Sequence, residues 1–173
     1  MNLVAGAPSW LVLPFACAMV AAAIEDAARL RISNPISILV VVGAIAAMVM
    51  VGPAWSLWQN LAVFVILLVL GTGAFAAGWM GGGDVKLFAA VGLWFGFISA
   101  VSFITFVLLA GGLVAIGYLL ARPFRREADR KSRRVPYGIA IAIGAIAMIL
   151  VSREAPSARQ RAFSPIAAPQ SRL

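Results

Sequence analysis

Two carboxylates stand out by their neighbours. The chain of 173 residues has 6 Asp+Glu against 14 Lys+Arg. Glu127 and Asp129 lie in an arginine-rich stretch and Glu154 in a basic tail, where water solvates them. Asp26 and Asp84 instead lie at the ends of apolar runs, with Glu25 beside the first. Charge near hydrocarbon is costly, so an ionisable group there is a functional candidate by default. Two carboxylates held close cannot both ionise easily: one pKa rises and a proton is shared. The ionised member can then take a proton from water while the protonated member donates to a carbonyl oxygen. That chemistry is amide hydrolysis with no metal, no cofactor and no covalent intermediate. It suits a chain with no His and one Cys, which excludes a His base, a His metal site, a cysteine-rich zinc site and a disulfide framework. Cys17, inside an apolar run, is assigned to packing.

Each aspartate also has a plainer reading. Asp26 can pair with Arg29, three residues on. Asp84 can cap the helix that it opens, because a carboxylate satisfies free N–H groups at a helix start. Neither reading explains why both acids fall at helix ends on one side of an almost uncharged chain. Gly81, Gly82 and Gly83 precede Asp84, and residues without side chains let another backbone approach closely.

The elements that must position these groups are membrane helices. The chain is 63% hydrophobic and 12% charged, with a mean hydropathy of +1.01. A soluble domain of this size cannot hide so much apolar surface. Asn2–Ile24 is one uncharged run, and with no Lys or Arg before it, it reads as a retained first helix, not a signal peptide. Residues 32 to 83 carry no charge, so a turn must divide them. Gly52-Pro53 supplies it, flanked by Trp55 and Trp58 as interfacial aromatics. The second segment then runs from Pro35 to Val51 and the third from Ser56 to Ala77. A short fourth runs from Val85 to Phe95. Gly96–Ala100 is the expected turn, and a fifth segment reaches Ala121. Arg122–Arg134, with seven Lys/Arg and two acids, is a loop outside the bilayer. Val135-Pro136 opens the sixth segment, to Val151, and a disordered basic tail occupies 152–173. The expected fold is therefore an all-α polytopic membrane bundle over residues 1–151, with about six transmembrane helices.

The net charge of +8 follows the same layout. Arg29, Arg31, Lys86 and the Arg122–Arg134 loop place ten basic residues on one side, against Arg153, Arg159, Arg161 and Arg172 on the other. The positive-inside rule puts the first group in the cytoplasm and both termini outside. Basic residues placed this way serve topology and lipid contact. Nucleic acid is not an expected partner.

Three stretches resemble the type IV prepilin peptidase family. Asp26-Ala-Ala-Arg29-Leu-Arg31-Ile32-Ser33-Asn34 is similar to its motif of an Asp followed by basic residues and Ile-Pro-Asn. Gly81-Gly-Gly83-Asp84-Val-Lys86-Leu87 matches the Gly-x-Gly-Asp signature and its continuation. Val135-Pro-Tyr-Gly138 resembles a third element. The resemblance implies that Asp26 and Asp84 form a catalytic pair, with Asn34, Gly81, Gly82, Gly83 and Lys86 shaping the site. It implies cleavage after the Gly of a short basic leader, at the cytoplasmic face of a bacterial inner membrane. The substrate would be a prepilin or pseudopilin whose leader precedes a hydrophobic helix, and the pilus assembly machinery would be a partner. Ser33 departs from the family's usual Pro. The long members' cytoplasmic segment with paired cysteines has no counterpart here, so the chain resembles the short form of Flp (tight-adherence) pilus systems and is expected to be a peptidase without N-methyltransferase activity. A preflagellin-type peptidase, a non-catalytic scaffold of the secretion machinery and a small proton-coupled transporter are the alternatives.

Overall fold

The computed structural model describes residues 1–121 and 137–162. The Arg122–Arg134 loop, Val135, Pro136 and the last 11 residues lie outside the described residues. The protein is an all-α polytopic membrane bundle. In chain order its helices are α1 (Leu3–Gly6), α2 (Ser9–Arg29), α3 (Asn34–Val51), α4 (Leu57–Ala76), α5 (Gly82–Gly92), α6 (Phe97–Ala121) and α7 (Tyr137–Ala162). Among the described residues, four helices are long and apolar enough to cross a membrane: α2, α3, α4 and the Phe97–Gly117 part of α6. The apolar part of α7, Tyr137–Arg153, is shorter.

Local sequence explains most boundaries. Pro8 precedes α2, and Pro35 sits in the first turn of α3, where its missing N–H costs nothing. Gly52 ends α3 at φ +79°, a conformation that suits glycine. Leu30 ends α2 in the left-handed region, at φ +50°. Several boundaries differ from those read in the sequence. The first apolar run divides at Ala7-Pro8 into α1 and α2, and α2 continues past Asp26 to Arg29. The turn after α5 falls at Leu93–Gly96 instead of Gly96–Ala100, because Gly96 N–H donates to the Met1 carbonyl and Gly96 already accepts from Ala100 N–H. Helix α7 runs on to Ala162, past Val151.

Small residues supply much of the contact between helices, beside a buried group of large side chains that includes Trp94, Phe95 and Phe103. Lipid tails are as apolar as leucine, so membrane helices associate through close packing of small residues. Ala18, Ala22, Ala44, Ala47, Ala89, Ala90 and Ala145 are buried, while Leu13, Ile24, Ile38, Val49, Leu70 and Leu113 face outward. Cys17 is also on the outward face of α2, not in the packing. Gly144 lets α7 close on α6: a Cβ there would lie 2.5 Å from Val107 Cγ2 and 3.0 Å from its backbone nitrogen.

Helix α5 lies inside this bundle, packed on α3, α4 and α7. Its 11 residues span about 16 Å, roughly half the hydrocarbon thickness. Its far end is held by polar contacts among buried apolar groups. Asn60, fully buried on α4, donates to the carbonyls of Met1 (3.0 Å) and Leu93 (3.1 Å) and accepts from the Met1 amino group (3.2 Å). Leu3 N–H donates to the Trp94 carbonyl at 2.9 Å. Trp94 stacks on Phe15 with ring centroids 4.4 Å apart and donates its indole N–H to the Val40 carbonyl at 3.1 Å. Asn60→Ala strands two carbonyls in an apolar setting. It should lower stability by about 1–3 kcal/mol, read as a lower melting temperature in detergent, whereas Asn60→Gln should lose less.

Candidate active site

One end of the bundle opens into a cleft of about 1320 Å³. Helix direction alternates along the chain, so this end gathers the last turns of α2 and α4 and the first turns of α3, α5 and α7. Asp26 and Asp84 both line the cleft, with Glu25, Arg29, Arg31, Asn34, Lys86 and Tyr137 around them. The sequence-expected residues Gly81, Gly82 and Gly83 line it too.

Asp26 sits in the last turn of α2 and is only 2% exposed. Its Oδ2 accepts the Ile139 N–H at 3.2 Å, across 113 residues of chain. That donor is one of the free amides in the first turn of α7, where the helix dipole also favours negative charge. The surface pairing with Arg29 considered from sequence is therefore not its setting. The close approach depends on Gly138: a Cβ there would lie 2.8 Å from Asp26 Oδ2 and 2.7 Å from Ile32 Cδ1.

Asp84 is the third residue of α5 and is also buried. Its Oδ2 accepts the N–H of Gly81, the helix-capping residue, at 3.2 Å. The capping role read from sequence is thus present, one helical turn long, but it accounts for only part of the carboxylate's setting. Burial and the neighbouring Asp26 carboxylate push the Asp84 pKa up to about 6, with the Gly81 N–H opposing them. The two acids share the cleft, and the Asp26 carboxylate acts on the Asp84 proton.

The three glycines do separate things. A Cβ at Gly83 would come within 2.8 Å of the Ile32 carbonyl, and one at Gly81 within 2.8 Å of Asp84 Oδ2. Gly82 would meet only ordinary contacts with Phe75. Two of the glycines therefore admit parts of the protein itself, at Gly83 the close approach of another backbone. Lys86 Nζ donates to Asn34 Oδ1 at 3.1 Å on the exposed rim, joining α5 to α3. From α4 the cleft takes Leu68, Thr72 and Phe75, an apolar wall beside the polar floor.

Sequence reasoning missed Ile32 and Tyr137 as parts of the site. Ile32 is buried between Gly83 and Gly138; its signals were its place in the motif-like stretch and its polar neighbours in a charged link. Among the described residues, no cluster of three or more His, Cys, Asp or Glu has metal-binding geometry. The groups present suit proton transfer between a polar floor and a bound amide.

No curated protein and no solved structure matches the chain. Residues 13–117, more than half of the chain and including both cleft aspartates, match the model of the type IV leader peptidase family. The chain belongs to the type IV leader peptidase family.

Proposed function

We propose that the chain is an aspartic endopeptidase that removes prepilin leaders, with Asp26 and Asp84 as the water-activating pair. Family membership implies a peptidase and a prepilin-type substrate. The observation that carries the finer reading is the shared cleft: two buried carboxylates from different helices line it, and one raises the other's pKa.

Asp84, pushed up to about 6, starts as the protonated member, and Asp26, whose Oδ2 accepts the Ile139 N–H, as the ionised one. Asp26 takes a proton from a water molecule, whose oxygen attacks the scissile carbonyl carbon. Asp84 gives its proton to the carbonyl oxygen, so a neutral tetrahedral diol forms. As the C–N bond breaks, the Asp26 proton passes to the leaving amine. A diol hydroxyl returns a proton to Asp84 as the new carboxyl group forms, and the pair is restored. The scissile bond follows the Gly of a short basic leader. The substrate's hydrophobic helix stays in the bilayer, against the apolar α4 side of the cleft. The cleft faces the cytoplasm of a bacterial inner membrane, as the side bearing Arg29, Arg31 and Lys86 would by charge. Asn34, Lys86 and the glycines shape the rim and floor. Peptidase activity without N-methylation, in a Flp-type pilus system, completes the reading.

The test is co-expression with a prepilin-type substrate, reading leader removal on a gel. Asp26→Asn and Asp84→Asn should each cut the rate by about 10³-fold or more while the protein still accumulates in the membrane. Full processing by either variant removes that residue from the mechanism. Acid-dependent uptake without cleavage would favour a transporter. The kcat/KM profile should fall as pH rises through about 6, as Asp84 loses the proton it must donate.

The same shift has a stability consequence of defined sign. The Asp84 pKa is raised from 3.8 to about 6 in the folded protein. Folding therefore favours its protonated form, and stability falls as pH rises through this window. Asp84→Asn should be more stable than the parent at pH 7.5, by about 1–2 kcal/mol after screening. The gain should vanish by about pH 4, as read by melting temperature in detergent. An equal gain at both pH values would show that the carboxylate's charge is not its source.

A further inference from the structure

Asp26 and Asp84 approach from different helices, and a four-residue link fills the space beside them. That link, Leu30–Ser33, joins α2 to α3. Its Ile32 wedges against the first turns of both helices that serve the acids. It lies against Gly83, one residue before Asp84, and against Gly138, one residue before the Ile139 amide that binds Asp26. A shift of Ile32 would therefore move both carboxylates relative to each other.

Two contacts fix the link. Leu30 N–H donates to the Asp26 carbonyl at 2.9 Å, closing α2 in the left-handed turn. Ser33 N–H donates to Glu25 Oε2 at 2.9 Å. Glu25 is the residue before Asp26, so the same helical turn that carries the first acid also grips the far end of the link. The cleft acid that the peptidase mechanism leaves without a task is Glu25.

We infer that Glu25 is a positioning residue for the aspartate pair, its carboxylate clamping the Ser33 amide so that Ile32 seats between α5 and α7 at one fixed separation. The inference rests on the Asp26–Asp84 reading. The clamp needs an acceptor oxygen, not a charge, so glutamine can replace glutamate and alanine cannot. Ser33 stands at φ −73° and ψ 142°, a backbone that proline also adopts. Proline there would remove the donor while stiffening the link, which makes Glu25 dispensable.

Cleavage kinetics on a prepilin substrate, with Asp26→Asn as the inactive control, test this. Glu25→Ala should lower kcat about tenfold with KM within about twofold, since a small misplacement of reacting groups is costly. Glu25→Gln should stay within about twofold of the parent in both constants, and adding Glu25→Ala to Ser33→Pro should cost less than about twofold. An unchanged kcat in Glu25→Ala overturns the inference. So does a raised KM in Glu25→Gln, which would make Glu25 a reader of substrate charge. A second readout needs no cleavage. If the clamp sets the pair's spacing, the stability gain of Asp84→Asn at pH 7.5 should shrink by roughly half or more in a Glu25→Ala background and persist in Glu25→Gln. A parent that cleaves nothing would end the peptidase reading alone; the stability cycle would still decide whether Glu25 controls the pair, and an unchanged gain in Glu25→Ala would overturn the inference.

Discussion

A helix too short to cross the bilayer must satisfy both of its ends inside the protein. Helix α5 is in that position, and much of the architecture answers its demands. A helix leaves N–H groups unpaired at its start and carbonyls unpaired at its end, and lipid offers them nothing. At the end of α5, the Leu93 carbonyl is taken by Asn60 and the Trp94 carbonyl by Leu3 N–H. That requirement accounts for the short α1, packed on α3 and α7, in place of one long first helix. At the start of α5, the Asp84 carboxylate takes the Gly81 N–H, and the cleft opens just beyond it. One short helix thus creates a sealed polar network at one end and an open polar cleft at the other.

This arrangement also gives the glycines their meaning. Gly83 and Gly138 each bring a helix start against Ile32, and Gly81 makes room for Asp84 itself. At Gly83 backbone meets the Ile32 backbone, and at Gly138 and Gly81 backbone meets the side chains of Ile32, Asp26 and Asp84, each too closely for a methyl group to fit. Such packing holds carboxylates more firmly than long side chains could, because a backbone cannot change rotamer. It also separates the supporting residues by task. Gly81 and Gly83 are constrained by the protein's own atoms, Gly82 has ordinary contact with Phe75, and the Lys86–Asn34 pair lies on the exposed rim.

The helices and the two acids were legible in the sequence for different reasons. Long uncharged runs divided by Gly52-Pro53 and by the charged links can be little else than membrane helices. Asp26 and Asp84 were conspicuous because carboxylates are expensive beside hydrocarbon. The packing faces were not legible. With lipid on one side and protein on the other, both faces of each helix are apolar, and periodicity has no contrast to report. That is why the sequence marks neither the outward place of Cys17 nor the buried role of Trp94. Asn60 did carry a signal: a lone amide within an apolar helix, which is worth a partner search. The Glu25–Ser33 contact had none, since it depends on the left-handed turn at Leu30, a conformation that sequence does not announce for leucine.

The electrostatics of the cleft run against stability, and the fold must supply the difference. Two buried carboxylates of like charge would separate or take up protons if they were free to move. Here Asp26 is tied to the first turn of α7 and Asp84 to the first turn of α5, so neither can retreat without breaking a backbone contact. Each contact stabilises charge on its own acid, while burial and the Asp26 carboxylate oppose charge on Asp84. The balance leaves Asp84 with a pKa of about 6, between the carboxylate range and neutrality. A group there can both hold and release a proton under cellular conditions, which neither an exposed aspartate nor a fully sequestered one can do. The strain is therefore confined to one end of α5, and the tight aromatic and alanine packing at its other end is what keeps the helix in place against it.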